Sequence, residues 1–218
     1  MQQNNINYQN KLFETVQQIN TDDKKPSLLL HVCCGPCSTT CLEVLTNYFN
    51  VTALFYNPNI HPENEYVKRY DEFKKFVQIK NATLENKINI KEVEYDVNCY
   101  FEKVKGFENE KEGGLRCVKC FELRLEQTAK LCKQFNYDFF TTTLTVSPYK
   151  NAKILNTIGE DLALKYNIKF LNSDFKKNDG YKKSIALSEK FNLYRQDYCG
   201  CIYSLKEREN YLKNQKNN

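Results

Sequence analysis

The chain has 218 residues and a net charge of +5 at pH 7, from 32 Lys and Arg against 27 Asp and Glu. This length suits one domain, and no Gly/Ser/Pro-rich linker divides it. The polar start and the absence of any run of eighteen apolar residues predict neither a secretion signal nor a membrane helix. The modest positive charge is compatible with a nucleic-acid partner and does not require one.

The chain is rich in cysteine, with ten such residues. The polar start predicts a cytoplasmic protein without membrane association. Thiols stay reduced in the cytoplasm, so structural disulfides do not account for this number of cysteines. Metal binding or redox chemistry is the better explanation.

Apolar, β-branched runs alternate with helical patterns along the chain. This alternation predicts a single-domain, three-layer, Rossmann-like (HUP-like) α/β fold with a mainly parallel sheet and helices on both faces. We predict strands at 27–32, 51–56, 88–95, 139–146 and 168–175, and helices at about 62–79, 117–135, 147–166 and 181–191, with another helix finishing the fold.

Three segments of different character are predicted. Residues 1–25 form a polar, helical N-terminal extension, and residues 207–218 form a charged C-terminal tail. Residues 26–206 form the α/β catalytic domain, which contains all ten cysteines. In such a domain, ligands bind beyond the carboxyl ends of the strands.

Seven of the ten cysteines fall into three groups. The first group follows the first strand at the Gly35–Pro36 turn, the second is a CxxC motif that begins a helix, and the third is a CxC motif. Their members are Cys33, Cys34 and Cys37; Cys117 and Cys120; and Cys199 and Cys201. Thiolate sulfurs that converge from separate segments are what an iron-sulfur cluster requires. A CxxC motif at a helix start also gains low thiol pKa values from the helix dipole.

The leading hypothesis is that Cys33, Cys34, Cys117 and Cys120 ligate one [4Fe-4S] cluster. Cys37 is then a candidate ligand for a second, mononuclear metal, either iron or zinc. Two interpretations of the CxC pair remain open. Cys199 and Cys201 form an easily reduced, redox-active disulfide, or they are further ligands of the second metal. Structural zinc is the alternative for the whole set, since Cys₄ zinc sites use similar residues.

Other residues near the predicted strand ends are candidates for substrate contact or proton transfer. Tyr149 and Lys150 combine an aromatic ring and a cation, which suits a base and a phosphate. Asp197 lies close to the CxC motif, where it could supply a proton or ligate a metal. Arg116, Arg124 and Arg195 flank the cysteine groups and could offset the negative charge of a thiolate-bound cluster or bind tRNA phosphates.

The chain has two histidines, His31 and His61. His61 follows the second strand and is a candidate for substrate contact, with a helix cap or turn as the alternative. His31 lies within a strand and is assigned no catalytic role. The sequence contains neither GxGxxG nor GxxxxGK[ST], so the usual nucleotide-binding loops are absent from it.

Four motifs in order, HVCCGPCST, CVKCFELRLEQTA, TTTLTVSPYKN and YRQDYCGCIYS, span about residues 27 to 205. They resemble the QueH-type, cobalamin-independent epoxyqueuosine reductases. The resemblance implies an oxidoreductase that reduces epoxyqueuosine to queuosine at the wobble position of tRNA, the last step of queuosine biosynthesis. It implies a [4Fe-4S] cluster on the vicinal pair and the CxxC motif, and a redox disulfide or adjacent metal at the CxC motif. Some relatives have Asp where this chain has Cys37.

The implied partners are tRNA carrying epoxyqueuosine and an electron donor that the sequence does not identify, and we expect a monomer. The mechanism favoured at this point uses an oxophilic metal to polarise the epoxide oxygen while the cluster delivers electrons. Two other functions are compatible with the same cysteine pattern. One is a structural-zinc RNA-binding module, and the other is a thiol-disulfide oxidoreductase.

Overall fold

A computed structural model describes residues 6–19 and 24–216 of the chain. Parts of the predicted N-terminal extension and of the predicted tail therefore lie outside the described residues. The described strands are β1 (Ser27–His31), β2 (Asn50–Leu54), β3 (Asn89–Lys91), β4 (Phe139–Thr142) and β5 (Lys169–Phe170). The described helices are α1 (Tyr8–Gln17), α2 (Gly35–Leu45), α3 (Glu63–Asn81), α4 (Val97–Lys103), α5 (Leu115–Gln134), α6 (Ala152–Tyr166), α7 (Gly180–Lys190) and α8 (Ile202–Lys216).

The five strands form one parallel sheet in the order β3-β2-β1-β4-β5. The chain moves outward from β1 through β2 to β3, then returns to the other side of β1 to place β4. At the carboxyl end of β1, His31 is in register with Leu54 on one side and Thr142 on the other. A crevice forms where strand order reverses in this way, so the β1/β4 junction is the expected ligand site.

Successive leucines of β1 face opposite layers of helices. Leu30 is buried in a core cluster with Phe73 of α3, whereas Leu29 is buried in a second cluster with Leu125 of α5. Each fully buried leucine contributes about 1.5–3 kcal/mol through removal of apolar surface from water. The sheet is thus covered on both faces, which confirms the predicted three-layer α/β fold.

Several predicted elements are longer than those observed. The predicted strand at 88–95 is paired only at β3, and the predicted strand at 168–175 only at β5. Both lie at edges of the sheet, where a single neighbouring strand supplies the ladder. The predicted strand at 139–146 ends at Thr142, whose Oγ1 accepts a hydrogen bond from the backbone N–H of Leu144 and starts a 3₁₀ helix at Thr143–Val146.

Two observed helices were not predicted. Helix α2 begins where the sequence indicated a turn, with Cys34 as N-cap and Pro36 in the first turn, a position that proline favours. Helix α4 lies between the predicted strand at 88–95 and the predicted helix at 117–135, where no element was predicted, and Asp96 caps it by accepting the N–H of Asn98. The final helix, α8, runs across the boundary placed at 206/207. Among the described residues, no helix combines the length and apolar character needed to span a membrane.

Candidate functional site

The first cysteine group lies at the carboxyl end of β1. The Sγ atoms of Cys33, Cys34 and Cys37 are all within 4.8 Å of one another. The N–H of Cys33 donates to Thr143 Oγ1 at 3.1 Å, and that hydroxyl lies 3.3 Å from Cys33 Sγ, to which it donates. Cys34 Sγ accepts the N–H of Cys37 at the start of α2. The three thiols therefore share one helix N-terminus beside the β1/β4 junction.

These three thiols differ in acidity because they are hydrogen-bonded together. Hydrogen bonds with Cys34 and Cys37 hold the pKa of Cys33 well below its usual range, and the cations Lys150 and Arg124 lower it further. The same contact with Cys33 raises the pKa of Cys34 to about 11, and that of Cys37 is also raised. Within this group, negative charge is therefore most favourable on Cys33.

The CxxC and CxC motifs form a second group. Cys117 and Cys120 lie in the first turns of α5, and Cys199 and Cys201 lie in the loop before α8. All four line one small cavity of about 10 Å³. Burial raises the pKa of Cys117 and of Cys199, and raises that of Cys120 to about 12. Because burial makes Cys117, Cys120 and Cys199 hard to ionise on their own, a bound cation or metal would stabilise their thiolate forms.

Arg124 lies between the two groups. A cavity of about 420 Å³ opens over Cys33, Cys37 and Cys199, and both Arg124 and Cys199 line this main cavity and the small one. The Nη1 atom of Arg124 is 3.9 Å from Cys120 Sγ, while the same guanidinium lowers the pKa of Cys33. The predicted ligand pairs therefore lie on either side of one side chain.

The Arg124 guanidinium is buried, with 2% of the residue exposed, and its partners are neutral. It donates to His31 Nε2 at 3.3 Å and to Asn57 Oδ1 at 2.5 Å. Burial and the neighbouring cation lower the pKa of His31 to about 3, so its imidazole stays neutral and can accept this hydrogen bond. Within residues 6–19 and 24–216, no carboxylate forms an ion pair with Arg124. A buried cation without a carboxylate partner contributes positive charge to this pocket.

Arg116, a predicted substrate contact, is instead buried beneath the cysteines. Its Nη1 donates to the carbonyls of Glu108 and Glu110, and its Nη2 pairs with Glu207 at 3.3 Å. Arg116 and Asn59 both line the small cavity, and Arg116 Nε and Asn59 Oδ1 have no hydrogen-bond partner among the described residues. An unsatisfied donor beside four cysteines suits an anionic group.

Sequence reasoning missed Arg69, which holds the CxC loop in place. Its buried guanidinium donates to Glu65 Oε1 at 2.7 Å, to the carbonyl of Cys199 at 3.1 Å and to that of Tyr198 at 3.4 Å. An Arg and a Glu four residues apart resemble any exposed helical ion pair. No signal in the sequence separates this buried pair from a solvated one.

His61 also contacts this loop, but through its backbone. Its N–H donates to the carbonyl of Gly200 at 2.8 Å, and its own carbonyl accepts the hydroxyl of Tyr198 at 3.0 Å. The imidazole lies against the ring of Phe101 and is not part of the main cavity wall. The alternative reading of His61 as a structural turn residue thus agrees with its position.

Four other predicted site residues line the main cavity: Tyr149, Lys150, Arg195 and Asp197. Burial alone would lower the pKa of Lys150, but its position beside Cys199, Cys33 and Cys37 outweighs this effect and raises that pKa. Lys150 thus lies on the cysteine-lined side of the cavity. Asp197 pairs with Arg208 at 3.0 Å at the cavity rim, and Arg195 donates to Ser188 Oγ at 3.1 Å.

The three ungrouped cysteines lie away from both cavity walls. Cys41 and Cys132 are buried in the two core clusters. Cys99 is partly buried, and its Sγ lies 2.9 Å from the carbonyl of Asp96. Their packing agrees with the ordinary role expected for them.

A family model described as epoxyqueuosine reductase QueH matches residues 28–207. The chain belongs to this family. A QueH of Streptococcus pyogenes serotype M1 is 42% identical over 201 residues, 92% of this chain and 79% of the relative. A QueH of Staphylococcus epidermidis is 43% identical, and the match covers 94% of this chain and 87% of that relative. A QueH of Thermotoga maritima is 35% identical, and the match covers 84% of this chain and 92% of that relative. QueH membership confirms the family resemblance and the predicted oxidoreductase class, and it favours neither alternative function.

A solved structure shares the fold of this QueH family member. It is the U34-tRNA thiolase NcsA from Methanococcus maripaludis with its [4Fe-4S] cluster, matched with a TM-score of 0.54 over 89% of this chain and 67% of that chain. At 17% sequence identity the likeness concerns the fold alone.

Proposed function

We propose that this chain reduces epoxyqueuosine to queuosine at the wobble position of tRNA, the last step of queuosine biosynthesis. Two electrons and two protons remove the epoxide oxygen as water and leave a carbon-carbon double bond. The substrate is tRNA carrying epoxyqueuosine, and a separate donor supplies the electrons. Family membership supports the reaction, and the electropositive, cysteine-lined pocket supports its chemistry.

The residues fit a [4Fe-4S] cluster held by Cys33, Cys34, Cys117 and Cys120. A cluster with four thiolate ligands is anionic. The observation that carries the proposal is the position of Arg124, a buried cation without a carboxylate partner between these two cysteine pairs. The unsatisfied Nε of Arg116, introduced above, is a further donor for an anion.

Cys37, Cys199 and Cys201 are then available for a second role. We assign them to a mononuclear iron, or zinc, or alternatively to a redox disulfide between the two members of the CxC pair. When bound, the cluster would supply electrons and an iron beside it a Lewis acid for the epoxide oxygen. Cys37 and Cys199 face the main cavity, where a substituent of a nucleobase can reach them.

The remaining side chains of the cavity hold the substrate and handle charge. Lys150 lines the main cavity together with Cys33, Cys37 and Cys199, and its ammonium group stabilises negative charge that develops on oxygen. Asp197 at the rim supplies a proton. Tyr149 and Arg195 contact the nucleotide, while His61 and Arg116 support the cysteine-bearing segments beneath it.

Seven of the ten cysteines belong to the proposed metal and redox groups. Such groups suit a compartment where glutathione and thioredoxin keep thiols reduced. We therefore assign the protein to the cytoplasm.

The deciding experiment incubates anaerobically reconstituted protein with tRNA carrying epoxyqueuosine and a chemical reductant, followed by mass analysis of the nucleosides. We expect a product lighter by one oxygen atom. Unchanged epoxide in the presence of fully loaded protein would overturn the proposal. Colourless protein that retains only zinc would support the RNA-binding module instead.

Serine variants test the ligand assignment separately from activity. Cys33→Ser and Cys117→Ser should lose the visible absorbance and iron of the cluster, whereas the matched control Cys99→Ser, partly buried but outside the site, should keep both. Cys199→Ser should retain the four-iron cluster and lose turnover. If Cys199→Ser loses the cluster while Cys33→Ser keeps it, the four ligands are instead those around the small cavity.

A further inference from the structure

A second depression on the surface lies next to the main cavity. This groove has a volume of about 600 Å³ and is formed by the start of α1 at Ile6–Tyr8, the segment Pro148–Lys153 and the loop residues Lys176 and Lys177. Tyr149 and Lys150 line both the groove and the main cavity. The groove therefore adjoins the main cavity at Tyr149 and Lys150.

The charge of this groove is positive. Its one carboxylate, Asp174, is 2.7 Å from the ammonium of Lys176 and is neutralised by it. Lys153 and Lys177 are exposed, and no carboxylate of residues 6–19 or 24–216 lies within ion-pair distance of either. Two cations without anionic partners beside a site for a modified nucleotide suit backbone phosphates.

An aromatic ring marks the junction between the groove and the main cavity. Tyr149 is 79% exposed, although exposure of a large aromatic side chain to water is ordinarily unfavourable. An exposed ring at the edge of a nucleotide site offers a stacking surface to any base.

We propose that the RNA strand next to the modified nucleotide runs along this groove, with the neighbouring base stacked on Tyr149 and its phosphates bound by Lys153 and Lys177. The inference rests on the proposed function, since it takes the modified base to lie in the main cavity. It assigns strand binding to residues outside the cysteine centre. We then expect little discrimination between bases next to the modified nucleotide, because stacking and phosphate contacts tolerate any base.

The test compares two charge-reversal pairs. Lys153→Glu/Lys177→Glu alters the groove, and Lys130→Glu/Lys133→Glu is the matched control on exposed positions of α5. Lys130 is ten residues beyond Cys120, about 15 Å along the helix, toward the opposite edge of the sheet. Both pairs should keep the iron content of the wild type, because all four side chains are exposed.

The first readout is the affinity for an unmodified anticodon stem-loop RNA, measured by fluorescence anisotropy over a range of salt concentrations. The groove pair should reduce the log-log salt slope by roughly 1.4, since each single-strand phosphate contact contributes about 0.7. Tyr149→Ala should weaken binding roughly 5- to 150-fold, the range for one stacked base, and Tyr149→Phe should not. An unchanged slope in the groove pair, or an equal loss in the control pair, overturns the inference.

The second readout separates this inference from the proposed function. The groove pair should raise the KM for tRNA carrying epoxyqueuosine and leave kcat close to that of the wild type. If the wild type reduces the epoxide and the groove pair has a normal KM, RNA binding in the groove is refuted and the proposed function is supported. If neither the wild type nor any variant reduces the epoxide but the groove pair loses RNA affinity, the proposed function is refuted and RNA binding in the groove is supported.

Discussion

Arg69→Met removes the side chain that fixes the CxC loop to helix α3. The substitution keeps a long, flexible side chain and deletes the guanidinium that donates to Glu65 and to the carbonyls of Tyr198 and Cys199. Glu65 then remains as a nearly buried carboxylate without its cation. Tyr194 continues to donate its hydroxyl to both carboxylate oxygens at 3.2 Å, so the loss is partial.

The magnitude follows from this geometry. Removing one partner of a buried ion pair costs about 3–5 kcal/mol of unfolding free energy, and the remaining Tyr194 contact places this variant near 3 kcal/mol. For a chain of this size, that loss corresponds to a decrease in Tm of about 6–12 °C. Glu65→Gln/Arg69→Met should be more stable than the sum of the single changes, because the isolated carboxylate is gone.

Thiol labelling distinguishes control of the loop from a general loss of stability. In the cluster-free protein, mass spectrometry after brief alkylation should show faster labelling of Cys199 and Cys201 in Arg69→Met than in the wild type. Labelling of Cys41, buried in the core, should not change. Arg69→Lys, which keeps the charge but not the fork of donors, should lie between the two. A lower Tm with unchanged labelling of the CxC pair would refute the reasoning.

Three further changes test other parts of the structure. Gly159→Ala should lower Tm because a Cβ at this position would overlap the ring of Phe170, even though alanine normally stabilises a helix by up to about 1 kcal/mol relative to glycine. The double variant Gly159→Ala/Phe170→Leu should regain the lost Tm. A single variant more stable than the wild type would contradict this packing. Gly200→Ala should lower the free energy of unfolding by about 1–3 kcal/mol, because residue 200 has φ +123°, and it should also reduce iron incorporation. Normal thermal melting together with a normal iron content would contradict this prediction. Arg124→Met should lower the reduction potential of the bound cluster in a redox titration, and Arg124→Lys should not; equal potentials would remove the role assigned to this cation.

The sequence alone indicated the layered α/β fold and the edge of the sheet at which chemistry occurs. Apolar runs followed by turn residues identify β1 by local pattern, and Cys33 follows it directly. Helix α2 was within reach too, because Pro36 in a first turn is a helix-start signal. The edge strands β3 and β5 were predicted too long, because their length depends on a neighbouring strand and not on their own residues.

The tertiary structure decided which cysteines meet and which charges are buried. The cysteines of CxxC and CxC line one cavity only because α5 and the loop before α8 pack together, and a local pattern carries no information about that distance. Arg69 looks like an ordinary helical surface charge in the sequence, and Arg124 is marked there only by its position near the CxxC motif. Neither pattern shows that the guanidinium is buried. Their burial follows from the helices that cover them, since the same guanidinium is solvated or desolvated according to what packs against it.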